Sequence, residues 1–75
     1  MKMDILLNTI EKVKDFVNTI MLFDGDADIT SGHYVIDAKS IMGIFSLDLS
    51  SPLTLDLSPA PTPEMQEKLE VYKAQ

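Results

Sequence analysis

The chain has 75 residues, a formal net charge of −6 and no cysteine. This length predicts one small domain over residues 1–75, and the acidic balance argues against nucleic-acid binding, which needs a basic surface. The lack of cysteine excludes disulfides and thiolate metal sites and suits a cytoplasmic protein. No apolar run is long enough for membrane insertion.

The first third of the chain predicts a strand followed by a helix. Residues Met3 to Leu7 alternate in the manner of a strand. Asn8 and Glu11 form an N-x-x-E pattern, which predicts that Asn8 caps a helix over about residues 9–23 and that Glu11 completes the cap. Gly25 is expected just past the end of this helix. The helical stripe consists of Ile10, Val13, Phe16, Val17, Ile20 and Met21.

The remaining elements follow from shorter patterns. Runs 26–30 and 34–38 predict a hairpin with Ser31-Gly32 as its turn, and 53–57 alternates three leucines with polar residues. Thr62 and Pro63 begin a last helix, whose sparse apolar stripe predicts weak docking and fraying near Gln75. The order strand, helix, strand, strand, short helix, strand, helix predicts an α+β open-faced sandwich with helices on one face of a four-stranded antiparallel sheet.

The segment from Asp37 to Leu49 is the most informative part of the sequence. Placed on a helix over residues 40–48, its apolar side chains cover roughly 220°, about twice the arc that a surface helix needs. One interpretation is a short helix sunk in the core. The other directs Ile44 and Leu47 inward and leaves an exposed docking patch beside Ser40. The residues of that patch are Ile41, Met42 and Phe45.

Nine residues, Lys39-Ser40-Ile41-Met42-Gly43-Ile44-Phe45-Ser46-Leu47, resemble the regulatory-serine segment of HPr, the histidine-containing phosphocarrier of the bacterial sugar phosphotransferase system. A weaker resemblance runs from about residue 3 to residue 57. It implies the HPr βαββαβα sandwich, which is the order that the pattern predicts. It also implies that Ser40 is a regulatory phosphorylation site and that Lys39 contacts partners. Asp48 stands where the family usually has glycine.

The sequence departs from this family at the phosphorylated histidine. Aligned through the first helix, Glu11 falls where the resemblance would place that histidine, and Val13 falls at the family's arginine. The one histidine, His33, lies in or beside the predicted hairpin turn, and the chain has no arginine. Asp24, Asp26 and Asp28 alternate like the start of a calcium loop but lack its later glycine and glutamate. We therefore expect no metal, no cofactor and no catalytic residue.

Three functions are consistent with these residues. The first is a non-catalytic regulatory or adaptor domain, which docks a phosphotransferase-system component, a kinase or a regulator through Lys39, Ile41, Met42 and Phe45. The second is a phosphocarrier that uses an atypical acceptor, His33 or Glu11. The third is a self-associating module, in which the same patch joins two copies in a weak homodimer.

Overall fold

The computed structural model describes residues 1–74, and its elements follow the predicted order. The strands are β1 (Lys2–Ile5), β2 (Asp26–Ser31), β3 (Tyr34–Asp37) and β4 (Leu53–Ser58). The helices are α1 (Ile10–Ile20), α2 (Ile41–Phe45) and α3 (Pro63–Leu69), and a 3-10 turn over Glu70–Tyr72 extends α3. The expected fraying near Gln75 lies outside the described residues.

The four strands form one antiparallel sheet in the order β1-β4-β2-β3. Alternation gives the sheet one apolar face, which the helices cover, and one polar face. The predicted α+β sandwich is therefore confirmed. Sixteen residues make up the buried core: Ile5, Leu7, Val13, Phe16, Ile20, Phe23, Ala27, Ile29, Ala38, Ile44, Leu53, Leu55, Leu57, Met65, Leu69 and Tyr72.

The polar face of the sheet is acidic. Asp28 of β2 lies directly opposite Asp37 of β3 on one side and Asp56 of β4 on the other. The three carboxylates form a row across neighbouring strands, and like charges in opposite positions destabilise a sheet. Positive charge offsets only the Asp56 end of this row, because Lys2 of β1 lies directly opposite Asp56 and the N-terminal ammonium of Met1 lies 4.0 Å from its carboxylate.

Several sequence boundaries were wrong by a few residues. Thr9, not Asn8, caps α1, since its hydroxyl accepts a hydrogen bond from Lys12 N at 3.1 Å. The predicted capping box is therefore wrong, because the third position of the helix is Lys12 rather than Glu11. The hairpin turn is Gly32-His33, because Ser31 pairs with Tyr34 as the last residues of the strands.

The end of α1 also differs from the prediction. The helix ends at Ile20, and Met21 and Leu22 are exposed beyond it. Gly25 is therefore not the residue just past the helix. Its role is close packing, since a Cβ at Gly25 would lie 2.8 Å from the carbonyl oxygen of Ser58 and 2.9 Å from the Phe23 ring.

The apolar stripe of the last helix is buried against the rest of the protein. The buried residues of α3 and its 3-10 turn are Met65, Leu69 and Tyr72, and Thr62 caps α3 by accepting from Met65 N at 3.2 Å. Tyr72 also meets Phe16 of α1 edge to face, with ring centroids 5.5 Å apart.

Candidate functional site

Ser40 begins α2 as its N-cap, as predicted. Its backbone is extended, and its side-chain oxygen accepts a hydrogen bond from Gly43 N at 3.1 Å. The helix is shorter than the predicted 40–48 and runs only over Ile41–Phe45. Ser40 itself is exposed. A hydroxyl therefore stands in solvent at the start of α2, beside the side chains of its first turn.

The side chains of α2 divide between core and solvent. Ile44 is 0% exposed and anchors the helix, whereas Met42 is 76% exposed and Phe45 is 39% exposed. Ile41 and Leu47 are half-buried and pack against the core. Met42 and Phe45 therefore form an exposed apolar surface on a helix that Ile44 anchors to the core. The half-buried Ile41 lies between this surface and the core. These three residues, Ile41, Met42 and Phe45, are called the α2 patch below.

Gly43 sets how closely α2 approaches the sheet. A Cβ at this position would lie 3.1 Å from the Ser40 side-chain oxygen and 3.3 Å from the Ile36 side chain of β3. Both distances are tighter than ordinary van der Waals contact. The absent side chain thus lets α2 rest on β3 while Ser40 keeps its capping hydrogen bond.

Lys39 has an internal role that the sequence did not indicate. Its ammonium donates to the carbonyl oxygens of Phe23 at 2.8 Å and Gly25 at 3.4 Å. These bonds tie the segment before α2 to the connection between α1 and β2. Sequence reasoning missed them because the two carbonyls are 16 and 14 residues away. A direct contact between Lys39 and a partner stays a prediction.

Asp48 adds a fixed negative charge just beyond α2. Its carboxylate accepts hydrogen bonds from the Ser50 hydroxyl at 2.6 Å and from Ser50 N at 3.1 Å. These two bonds, the side-chain bond first, lower the pKa of Asp48 below its ordinary value. The group is therefore ionised throughout the neutral range.

A line of apolar residues runs along α1 and its C-cap. At ~100° per residue, Ile10, Val17 and Met21 lie within about 40° of one another. Thr19, on the opposite side of α1, lies 3.4 Å from the Tyr72 hydroxyl, so α3 and its 3-10 turn occupy that side. The short helix α2 packs against α1 as well.

Ile10 and Met21 of this line are exposed, whereas Val17 is half-buried. In the sequence, these three residues belong to one helical stripe with Val13, Phe16 and Ile20. Helical phase separates the exposed residues from the buried ones. Around the helix axis, the buried Val13, Phe16 and Ile20 centre on a direction about 70° to 100° from the directions of the other three residues.

The two residues proposed as atypical phosphoryl acceptors are exposed and stand on different elements. Glu11 is in the first turn of α1. His33 is in the β2–β3 turn, at the sheet edge opposite to β1, the strand that leads into α1. The match of Glu11 to the position of the family's histidine remains a prediction.

Within residues 1–74, no group of three or more histidine or carboxylate side chains is placed to hold a metal ion. None of the helices in this described part has the length and apolar character needed to cross a membrane.

Comparison with known proteins gives matches among solved structures alone. No protein-family model matches the chain, and no curated protein matches its sequence. The crystal structure of HPr-C-His from Thermoanaerobacter tengcongensis superposes with a TM-score of 0.78 at 23% identity, covering 95% of this chain and 88% of that one. The phosphocarrier protein HPr from Bacillus anthracis str. Ames gives 0.66 at 25% identity, covering 95% and 87%. The chain has the HPr fold.

Proposed function

We propose that this protein is a non-catalytic regulatory or adaptor domain, related to the HPr proteins of the bacterial phosphotransferase system, and that it docks a protein partner through the α2 patch. The observation that carries the proposal is the exposure of Met42 and Phe45 on a helix anchored by the fully buried Ile44. Met42 and the uncovered part of Phe45 are not needed to hold α2 on the core, because the buried Ile44 and the half-buried Ile41 supply that contact.

The chemistry of the patch suits a protein interface. Methionine and aromatic side chains are enriched at the centres of such interfaces, where they are desolvated by the partner. Ile10 at the start of α1 and Met21 just beyond its end are further exposed apolar side chains. The exposed hydroxyl of Ser40 and the carboxylate of Asp48 provide a polar rim.

Ser40 is the proposed switch of this surface. Phosphorylation would add a charge of about −1.5 to −2 and three acceptor oxygens at the edge of the α2 patch. That charge penalises an apolar partner surface and favours one that presents arginine or lysine. The modification therefore changes which partner binds, without any catalytic step in this domain.

The docking test compares two variants with aspartate at exposed apolar positions. Phe45→Asp changes the α2 patch, where Phe45 is 39% exposed, and Val71→Asp changes an apolar residue on the 3-10 turn beyond α3, where Val71 is 74% exposed. Both purified variants are used with wild type to capture phosphotransferase-system proteins, and their folds are compared by circular dichroism. We expect Phe45→Asp alone to lose capture. Equal capture by both variants would remove the docking role of α2.

The Ser40 switch has its own test. Wild type and Ser40→Ala are incubated with the serine kinase that acts on HPr proteins and ATP, and the products are weighed by mass spectrometry. One phosphoryl group on wild type and none on Ser40→Ala is the expected result. An unmodified wild type would leave Ser40 with a capping role only.

The alternative function is phosphoryl transfer through an unusual acceptor. It is favoured by the fold, because the matched Bacillus anthracis structure is a phosphocarrier protein. Incubation with phosphoenolpyruvate and the first enzyme of the system tests it. Acid-labile label on wild type that disappears in His33→Ala would establish this alternative in place of the adaptor role, whereas no label agrees with the adaptor role. Sedimentation of the free protein separates both from self-association, which requires a concentration-dependent dimer.

A further inference from the structure

The two edge strands of the sheet, β1 and β3, differ in how their outer backbone groups are paired. At the β1 edge, Leu6 N donates to the Tyr72 carbonyl oxygen at 2.8 Å, Ala74 N donates to the Asp4 carbonyl oxygen at 2.9 Å, and Ile5 pairs with Lys73. The other edge is β3, which pairs with β2 alone. Among the described residues, only the β1 edge is covered by a further backbone segment.

The backbone groups that β3 leaves open follow from its register. Ala38 N donates to the Ala27 carbonyl oxygen at 2.8 Å, so the alternation of an antiparallel ladder directs Ile36 and Tyr34 toward β2. Val35 and Asp37 then point their backbone groups away from the sheet. Ser40 N donates to the Asp37 carbonyl oxygen at 3.0 Å. Both backbone groups of Val35 and the N–H of Asp37 therefore remain open at this edge.

The side chains of β3 favour a partner strand. Tyr34 is 70% exposed and Val35 is 65% exposed, and successive residues of a strand point to opposite faces. An added strand would therefore find apolar surface on both faces. Natural edge strands are commonly protected by lysine, proline or a bulge, and β3 contains neither lysine nor proline.

The acidic row on the polar face selects the charge of that strand. Asp37 of β3 is followed by Asp28 and then Asp56 on the neighbouring strands, and the positive charge of Lys2 lies opposite Asp56 at the end of the row farthest from β3. A shallow depression of about 290 Å³ beside them is lined by Asp26, Asp28, Asp37 and Lys39. Basic side chains on the same face of an added strand would be attracted, whereas a second copy of this chain, with a charge of −6 and its own Asp37, would be repelled.

We propose that the free edge of β3 binds an extended segment of a partner protein in which basic residues alternate with apolar ones. The segment adds a fifth strand beside β3: its backbone bonds to Val35 and Asp37, its basic residues face the aspartate row, and its apolar residues lie beside Tyr34 and Ile36. This site is separate from the α2 patch and goes beyond the proposed docking function.

A nuclear magnetic resonance titration of the full chain tests the site. The probe is the acetylated, amidated peptide Lys-Val-Lys-Val-Lys-Val, with two control peptides, one with glutamate for lysine and one with proline for valine. We expect the probe to shift the amide signals of Val35 and Asp37 and to bind about tenfold more tightly than either control. Probe binding without shifts at Val35 and Asp37, or equal binding of the proline peptide, would reduce the effect to charge attraction and overturn the proposal. Absence of probe binding would overturn it as well.

Variants at Val35 separate the edge from the rest of the protein. Val35→Pro removes an N–H that no bond to β2 uses, so we expect native circular dichroism with at least about tenfold weaker binding, whereas Val35→Thr binds as wild type. Val35→Lys keeps the backbone N–H but adds a positive charge that repels the lysines of the probe, so it should also weaken binding. This variant replaces Val35→Pro if the proline variant does not fold. Phe45→Asp must still bind the probe, which distinguishes this site from the α2 patch. Wild-type affinity in both Val35→Pro and Val35→Lys, or dimerisation through β3 in sedimentation, would overturn the inference.

Discussion

At the scale of single residues, Ser40 combines two roles in one oxygen atom. Its side chain accepts the hydrogen bond from Gly43 N that begins α2, and it is exposed to solvent beside the α2 patch. The capping role is structural and can be measured without a partner. A residue that stabilises the helix in this way also places any group attached to its oxygen at a defined point of the surface.

Removal of the Ser40 cap should destabilise the protein measurably. We expect Ser40→Ala to lower the free energy of unfolding by about 1 kcal/mol, because Gly43 N loses its acceptor. Ser40→Asp retains an acceptor and should lie close to wild type. Chemical denaturation measures all three proteins, with Ser51→Ala as the control at an exposed serine. Equal stability of Ser40→Ala and wild type would contradict the observed cap.

Asp48 provides a residue-scale prediction about pH. Its pKa is lowered by the two hydrogen bonds from Ser50, so the stabilisation they give is present above the ordinary value near 3.8 and is lost as pH falls through the lower folded value. A carbon-detected titration of the Asp48 carboxyl should show this lowered midpoint. In Ser50→Ala the midpoint should rise toward the ordinary value, and an unchanged midpoint would contradict the assigned cause.

At the scale of elements, the order of strands and helices could be predicted but several junctions could not. Alternation in 53–57 and helical spacing around Phe16 are local signals, and both elements are present. Asn8 and Thr9 are both good caps, and in the structure Thr9 has the extended backbone and the hydrogen bond from Lys12 N. The residue types alone do not distinguish the two positions.

The hairpin turn shows the same limit. Ser31-Gly32 and Gly32-His33 are both acceptable two-residue turns, and a shift of one residue exchanges the two faces of a strand. The observed register pairs Ile29 with Ile36, with Ile29 fully buried and Ile36 packed against the core. Gly32 takes the positive φ of 59° that the first turn position then requires.

The site was predictable to a similar degree. The Ser40 cap was predicted, and the exposure of Met42 and Phe45 was one of the two interpretations that the apolar spacing left open. The bonds from Lys39 to two distant carbonyls and the open edge of β3 depend on tertiary packing and strand order, which no local pattern specifies.

The sheet makes a prediction of its own through its row of aspartates. Asp28 lies between Asp37 and Asp56, so Asp28→Asn should raise the free energy of unfolding by about 0.5 kcal/mol at low salt. The gain should shrink in about 0.5 M salt, because screening already weakens the repulsion. Thermal melts at both salt concentrations measure this. Asp15→Asn, on the exposed side of α1, is the control and should show no such gain.

At the scale of the whole molecule, a single core supports every surface described above. The Cα radius of gyration is 11.0 Å, and a domain of this size has little stability to spare. The exposed residues of α2 therefore depend on buried residues of the same short helix. Folding and docking should be separable within that one turn.

Two substitutions on adjacent sides of α2 should have opposite profiles. Ile44→Ala removes fully buried surface and should cost about 2 to 5 kcal/mol of unfolding free energy. Met42→Ala should change stability by no more than about 0.5 kcal/mol while weakening partner capture. Denaturation and capture on the same preparations give both values. A large loss of stability in Met42→Ala would mean that this side chain belongs to the core.

The backbone that runs alongside Asp4 to Leu6 has a consequence for unwanted assembly. A filament built by edge-to-edge pairing needs two available sides on every subunit, one to accept a neighbour and one to pass the pattern on. Here the Tyr72–Ala74 segment already occupies part of one side. Growth would stop after a single addition. This small acidic protein can therefore keep one unpaired edge strand without forming fibrils.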